Sequence, residues 1–120
     1  MSNETENYET SKRDTVETKF PDIQKILDDA VNNENIGRHG PFWRGVTRDE
    51  FVVKQVFGCP IIHKEGDRFV GSESLLVKIL RDPVEDCNTR LRPQMPVGFP
   101  ALDEEKVNTI EKWIDDQCPA

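Results

Sequence analysis

The chain has 120 residues, 16 Lys and Arg against 23 Asp and Glu, a net charge of -7 and only 35% apolar residues. That length holds one domain of ordinary size and little beyond it. The acidic balance excludes the basic surface that non-specific nucleic-acid binding requires, and no run approaches the ~18 apolar residues of a membrane span.

Residues 1–19 carry Met1, Tyr8 and Val16 as their only apolar side chains. Such a segment buries too little surface to offset the entropy of ordering it, which predicts a disordered tail ahead of a domain over residues 20–120. The opening MSNETENYETSKRD has neither the basic n-region nor the apolar h-region of a secretory signal, so the expected location is cytoplasmic. Much of the charge also has an address. Residues 1–19 hold five acids against three bases, and residues 103–116 hold six against two, leaving the remainder close to neutral.

Four segments read as helices. Ile23, Ile26, Leu27, Ala30 and Val31 recur at the spacing of one helical face, with Asn32 and Asn33 as a frayed end. Thr47-Arg48-Asp49-Glu50 matches a capping box, with Val46 and Phe51 placed for a hydrophobic staple. That second helix is predicted to continue through Val52, Val53, Val56 and Phe57, to be capped by Gly58 and to be stopped by Pro60. A third begins near Gly71-Ser72, carries Leu75, Leu76, Ile79 and Leu80, and stops at Pro83. A fourth begins at Asp103 with Glu104 and Glu105 in its first turn and presents Val107, Ile110, Trp113 and Ile114. Between them, residues 59–70 allow either an extended loop or a minimal hairpin about a Gly-Asp turn. Residues 83–101, with Pro83, Pro93, Pro96 and Pro100, read as a fixed irregular loop. The resulting fold class is all-α.

Cys59, Cys87 and Cys118 are odd in number, 28 and 31 residues apart, and form no CxxC pair or zinc-type spacing. In a chain without an export signal they read as three reduced thiols. His63, four residues after Cys59, reads as a loop histidine, since two potential ligands do not make a metal site. No Ser/His/Asp or Cys/His nucleophile pattern, phosphate-binding glycine loop or two-carboxylate site stands out, so no catalytic residue is expected and the chain is not read as an enzyme.

Two stretches carry a family resemblance. Arg92-Pro93-Gln94-Met95-Pro96-Val97-Gly98-Phe99-Pro100, followed by Leu102-Asp103-Glu104-Glu105 and ending in Ile110-Glu111-Lys112-Trp113-Ile114-Asp115, resembles the end of class I cytochrome c domains. There, a Met-Pro-x-Gly-x-Pro-type loop supplies the methionine ligand of the haem iron. Gly71 to Ile79 resembles the helix that precedes that loop. The resemblance implies a small cytochrome-c-like helical domain of about four helices, and it casts His39 and Met95 as the axial pair.

The attachment motif of that family, Cys-x-x-Cys-His-Gly, falls here on Asn35-Ile36-Gly37-Arg38-His39-Gly40. His39-Gly40 matches its end, but Asn35 and Arg38 occupy the cysteine slots and form no thioether. Three readings of His39 and Met95 follow. In the leading one the fold persists without a cofactor and bulky side chains fill the haem space: Phe42, Trp43, Phe51, Phe57, Phe69, Phe99 and Trp113 are available. In the second, His39 and Met95 hold a non-covalent haem and Arg38, Arg44 and Arg48 pair with its propionates, making an electron carrier. In the third, His39 binds another metal or does acid–base work with Asp49, Glu50 or His63, which no spacing supports.

The turn His39-Gly40-Pro41-Phe42-Trp43-Arg44-Gly45 gathers the residue types enriched in interface hot spots. Arg38, Phe42, Trp43, Arg44 and Arg48 are therefore candidate interaction residues, the alternative for Phe42 and Trp43 being simple core packing. The arrangement HGPFWRGVTRDEFV is similar to small cytochrome-c-like domains lacking the cysteine pair that are associated with tyrosinase-like copper oxidases. The expected function is a non-catalytic accessory or interaction module without covalent haem. Its expected partner is a protein, such as an oxidase, and neither nucleic acid nor a membrane.

Overall fold

The computed structural model describes residues 17–34 and 40–120. The first helix, α1 (Phe20–Ala30), begins where Lys19 adopts an extended backbone and Pro21 pre-sets the first turn. The Asp22 carboxylate accepts the Lys19 amide at 2.9 Å. Phe20, Ile23 and Leu27 turn inward as the periodicity requires. Asn32 and Asn33 both take positive φ, ending the helix with residues that tolerate the left-handed region.

The capping box forms as the sequence specifies. Thr47 Oγ1 accepts the Glu50 amide at 3.1 Å, and the Glu50 carboxylate accepts the Thr47 amide at 2.8 Å. The helix it starts, α2 (Arg48–Phe51), lasts a single turn. The expected continuation through Phe57 does not form. Val52, Val53 and Val56 are β-branched and give up χ1 freedom in a helix. Phe57 and Gly58 take φ of 52° and 81°, the handedness that a two-residue hairpin loop needs. The chain therefore turns into the antiparallel pair β1 (Gln55–Val56) and β2 (Cys59–Pro60).

A second hairpin follows at once. The strands β3 (His63–Glu65) and β4 (Arg68–Val70) pair His63 with Val70 and Glu65 with Arg68 around Gly66-Asp67. Of the two readings open for residues 59–70, the hairpin is the one formed, and His63 is a strand residue and not a loop histidine. Helix α3 (Leu75–Arg81) then starts at Ser74 and ends before Pro83. The Pro-rich stretch is less irregular than expected, for β5 (Val84–Glu85) and β6 (Leu91–Arg92) pair within it. Finally α4 (Glu104–Asp115) packs on α3 and on β4. Among the described residues there are thus four helices and three two-stranded antiparallel sheets. The fold is mixed α/β, and the all-α, cytochrome-c-like helical arrangement expected from sequence is corrected on that point.

One core unites these elements. Phe20, Phe51 and Trp113 meet at ring-centroid distances of 5.1 to 6.1 Å, and Phe42 stacks on Phe51 at 6.2 Å. Ile23, Val77, Ile110 and Ile114 close around them and are fully buried. Phe57, expected among the fillers, is instead half exposed, because the hairpin turn carries it outward.

Polar clamps set the angle of the second hairpin against α4. The Gln117 side-chain amide accepts from Phe69 N–H at 2.8 Å and donates to Phe69 C=O at 3.1 Å, so it completes a strand-like rung on β4. Asp115 accepts the Gly71 amide at 2.7 Å. Ser74, fully buried, accepts the His63 amide at 2.9 Å and donates to Val70 C=O at 2.8 Å, satisfying both of its hydroxyl roles. No helix of the described residues is long and apolar enough to cross a membrane.

Candidate functional site

The turn singled out in the sequence is anchored on α1. Arg38 and His39 lie outside the described residues, so the candidate roles assigned to them are not placed. Trp43 is buried, 3% exposed, and its indole N–H donates to Asp28 Oδ1 at 2.7 Å. Arg44 Nε donates to the same oxygen at 2.5 Å, and Arg44 Nη2 donates to the Glu34 carbonyl at 2.9 Å. Gln24 holds the Trp43 carbonyl at 2.7 Å. Phe42 packs edge-on against Trp43 and stacks on Phe51. Arg48 reaches across the domain. Its Nε and Nη2 donate to the carbonyls of Cys118 and Gln117 at 2.7 and 2.8 Å, just past the end of α4, where a cation complements the helix dipole. Trp43 is thus buried, while Phe42, Arg44 and Arg48 are partly buried and engaged in the protein's own packing.

Asp28 is the polar centre of this anchor. Burial pushes its carboxyl up, but the Arg44 and Trp43 hydrogen bonds and the Arg44 charge outweigh that and hold it below the usual carboxylate value. A lowered carboxyl pKa contributes stability above the unfolded-state value, and that contribution is lost as pH falls through the folded-state value. We therefore expect stability in urea titrations to decline from about pH 4 downward. In Asp28→Asn part of that acid dependence is expected to disappear, at the cost of lower stability at neutral pH.

Met95 lies partly buried against the hydrophobic core, and its amide donates to the Ile79 carbonyl at 2.9 Å. A porphyrin ligand would need an opening at this thioether. The two recesses described below do not include Met95 in their walls. The Phe20, Phe51 and Trp113 rings pack together in the core. With His39 outside the described residues, the His39–Met95 pair is not placed, and no chemistry is derived through a haem. Among the described residues, no group of three or more His, Cys, Asp or Glu is arranged to hold a metal ion. His63 and Glu65 form an exposed pair at 3.2 Å. Ser74, although near, bonds the His63 backbone and not its ring, so the three do not make a nucleophile triad.

A large concavity among the described residues lies elsewhere. An open groove of about 890 Å³ runs between α2, the three hairpins and the start of α3. Val52, Ile62, Phe69 and Leu75 supply apolar wall. Val53 stands in it 73% exposed. Arg48, Lys64 and Lys78 contribute positive charge, and Asp49, Glu73 and Glu85 contribute negative charge. Lys64 lies over the Phe69 ring at 5.6 Å, while Lys78 pairs with Glu73 at 3.4 Å. A second, smaller recess of about 260 Å³ lies between α1 and residues 100–103.

Cys59 and Cys87 are joined as a disulfide, and both line the groove. The expectation of three reduced thiols is corrected here. The sequence separation of 28 residues gave no sign that the first and third hairpins bring these positions within 5.7 Å Cα to Cα. Cys118 alone remains a free thiol among the described residues. It is fully buried, and burial pushes it up to about 12 against the opposing Arg48 charge, so it is unreactive at neutral pH.

The disulfide and Val53 are the site features that the sequence left out. An odd cysteine count permits one pair but does not say which, and Val53 looked like part of a helical face. Comparison with known proteins finds no matching family model, no matching curated protein and no matching solved structure.

Proposed function

We propose that the protein is a non-catalytic interaction module whose groove takes an extended peptide segment of a protein partner. The observation that carries this reading is Val53, 73% exposed in a groove lined by the apolar side chains Val52, Ile62, Phe69 and Leu75 together with charges of both signs. A large apolar side chain held in a concavity favours an apolar occupant. The balanced rim suits a chain of low net charge and offers no focused positive field for a nucleic acid or an anionic membrane. Gln55 and Glu85 line the same groove and bring an amide and a carboxylate that can meet a peptide backbone.

This reading moves the interaction surface away from the turn at residues 40–45, whose described side chains are committed to α1 and to the core. An accessory role beside a larger enzyme such as an oxidase remains compatible with it, and the chain needs no cofactor for it. The cytoplasmic expectation rests on the absence of a secretory signal pattern, and the expected reduced thiols followed from it. With Cys59 and Cys87 joined, we place the protein in a compartment oxidising enough to sustain the bond.

The test is selection of a displayed random-peptide library against the folded chain. Enriched peptides are expected to carry apolar side chains. Their affinity is expected to fall about tenfold in Val53→Asp, a surface change that leaves stability within about 0.5 kcal/mol. Absence of any enriched peptide, or binding indifferent to Val53→Asp, would refute the proposal.

A further inference from the structure

We propose that the Cys59–Cys87 bond is a thiol-exchange site, at which a small-molecule thiol adds to Cys87 while the domain stays folded. The two sulfurs are unequal. Cys59 is 1% exposed, whereas Cys87 lies on the surface at the edge of the groove. An incoming thiolate reaches Cys87 and cannot reach Cys59 without opening the core.

Departure of Cys59 is assisted where it stands. The Cys87 amide lies 3.2 Å from Cys59 Sγ, and the Asn88 side-chain amide lies 3.7 Å from it. Donors aimed at a sulfur favour its thiolate, and a better leaving thiolate speeds exchange. The balance is simple. The thiolate R–S⁻ forms a bond to Cys87 Sγ, the Cys59–Cys87 bond breaks, and its electron pair leaves on Cys59 as a thiolate. One disulfide is exchanged for another with no net oxidation. A second R–S⁻ then frees Cys87 and leaves as R–S–S–R, so that two electrons from the thiols have reduced the protein. Attack by Cys59 on the mixed disulfide restores the original bond instead and expels R–S⁻.

Contacts other than the bond also hold the local structure. Asp86, its side chain almost fully buried, accepts the Asn88 and Arg90 amides at 2.8 and 3.1 Å and pairs with Arg92 Nε at 2.9 Å. These contacts fix the loop of the third hairpin from within. Arg92 in turn lies over the Phe57 ring at 4.5 Å, a non-covalent tie between the first and third hairpins. Exchange therefore loosens one wall of the groove while the core stays closed. The thiol-exchange proposal stands apart from the peptide reading, because its experiment scores chemistry at sulfur without any peptide.

The experiment is incubation of the intact, oxidised protein with reduced glutathione in native buffer. It is followed by acid quenching, alkylation of free thiols and peptide mapping by mass spectrometry. The expected result is a glutathione adduct on Cys87 and alkylation on Cys59, with Cys118 unmodified and the near-ultraviolet circular dichroism retained. Asn88→Ala is expected to slow adduct formation by roughly threefold. An adduct on Cys59, equal labelling of the two cysteines, or a reaction that proceeds only in urea would each overturn the proposal.

Discussion

Phe51→Ala is expected to cost about 3–5 kcal/mol, enough to leave a domain of this size largely unfolded at room temperature. Phe51 is fully buried and touches three other aromatic rings, at 5.1 Å to Phe20, 6.1 Å to Trp113 and 6.2 Å to Phe42. These rings come from α1, from α4 and from the turn before α2, so one side chain joins three parts of the chain that are distant in sequence. Truncation removes the transfer energy of the ring and leaves a cavity that rigid aromatic neighbours cannot collapse to fill. Phe51→Leu, which keeps part of the volume, is expected to cost less. Urea denaturation followed by tryptophan fluorescence measures both, since Trp113 reports on the same cluster. A loss below about 1 kcal/mol for Phe51→Ala would mean that the cluster is not the centre of the core.

Gly71→Ala is expected to cost about 3 kcal/mol, at the upper end of the overpacking range, although it adds one methyl group. A Cβ at Gly71 would land against the Glu111 carbonyl oxygen, with Glu111 Cγ at 2.8 Å and Asp115 Oδ1 at 3.0 Å. The first obstacle is helix backbone and cannot rotate away. The β3–β4 hairpin must then lift from α4. That movement breaks the Gly71 amide's bond to Asp115 and strains the Gln117 rung on Phe69. Ser72→Ala, one residue on and exposed, is the control and is expected to stay within about 0.5 kcal/mol of the parent. Equal melting temperatures for the two variants would contradict the close approach of hairpin and helix.

The elements that were legible in the sequence are those in which local chemistry and tertiary demand agree. The apolar period of Ile23 and Leu27, the capping box at Thr47-Glu50 and the acidic first turn of α4 each describe a helix end or face that does form. The second helix failed where the two demands part. Val52, Val53 and Val56 satisfy a helical period and an extended strand equally well, and Gly58 serves a helix cap and a hairpin turn equally well. Phe57 adopting positive φ decides the matter, and a phenylalanine gives no advance notice of that conformation. Three two-stranded pairs of two or three residues each are too short to leave a period-2 pattern, so the chain read as all-α.

The site was less legible for a related reason. Trp43 and Arg44 are residue types used both at interfaces and in buried polar anchors. Only the position of Asp28, fifteen and sixteen residues earlier, assigns them to the anchor. Arg48 sits beside the capping box in sequence, but its partners are carbonyls some seventy positions later. Exposed Val53 and paired Cys59 and Cys87 owe their meaning to the same hairpin that the sequence hid.

The proposed binding surface is the groove and not the aromatic–arginine turn. Amide chemical-shift mapping of the folded chain with a peptide selected from the displayed library tests it most directly. The largest shifts are expected at Val53, Ile62, Lys64 and Leu75, with Trp43 and Arg44 unmoved. Largest shifts at Phe42, Trp43 and Arg44, with the groove silent, would contradict it.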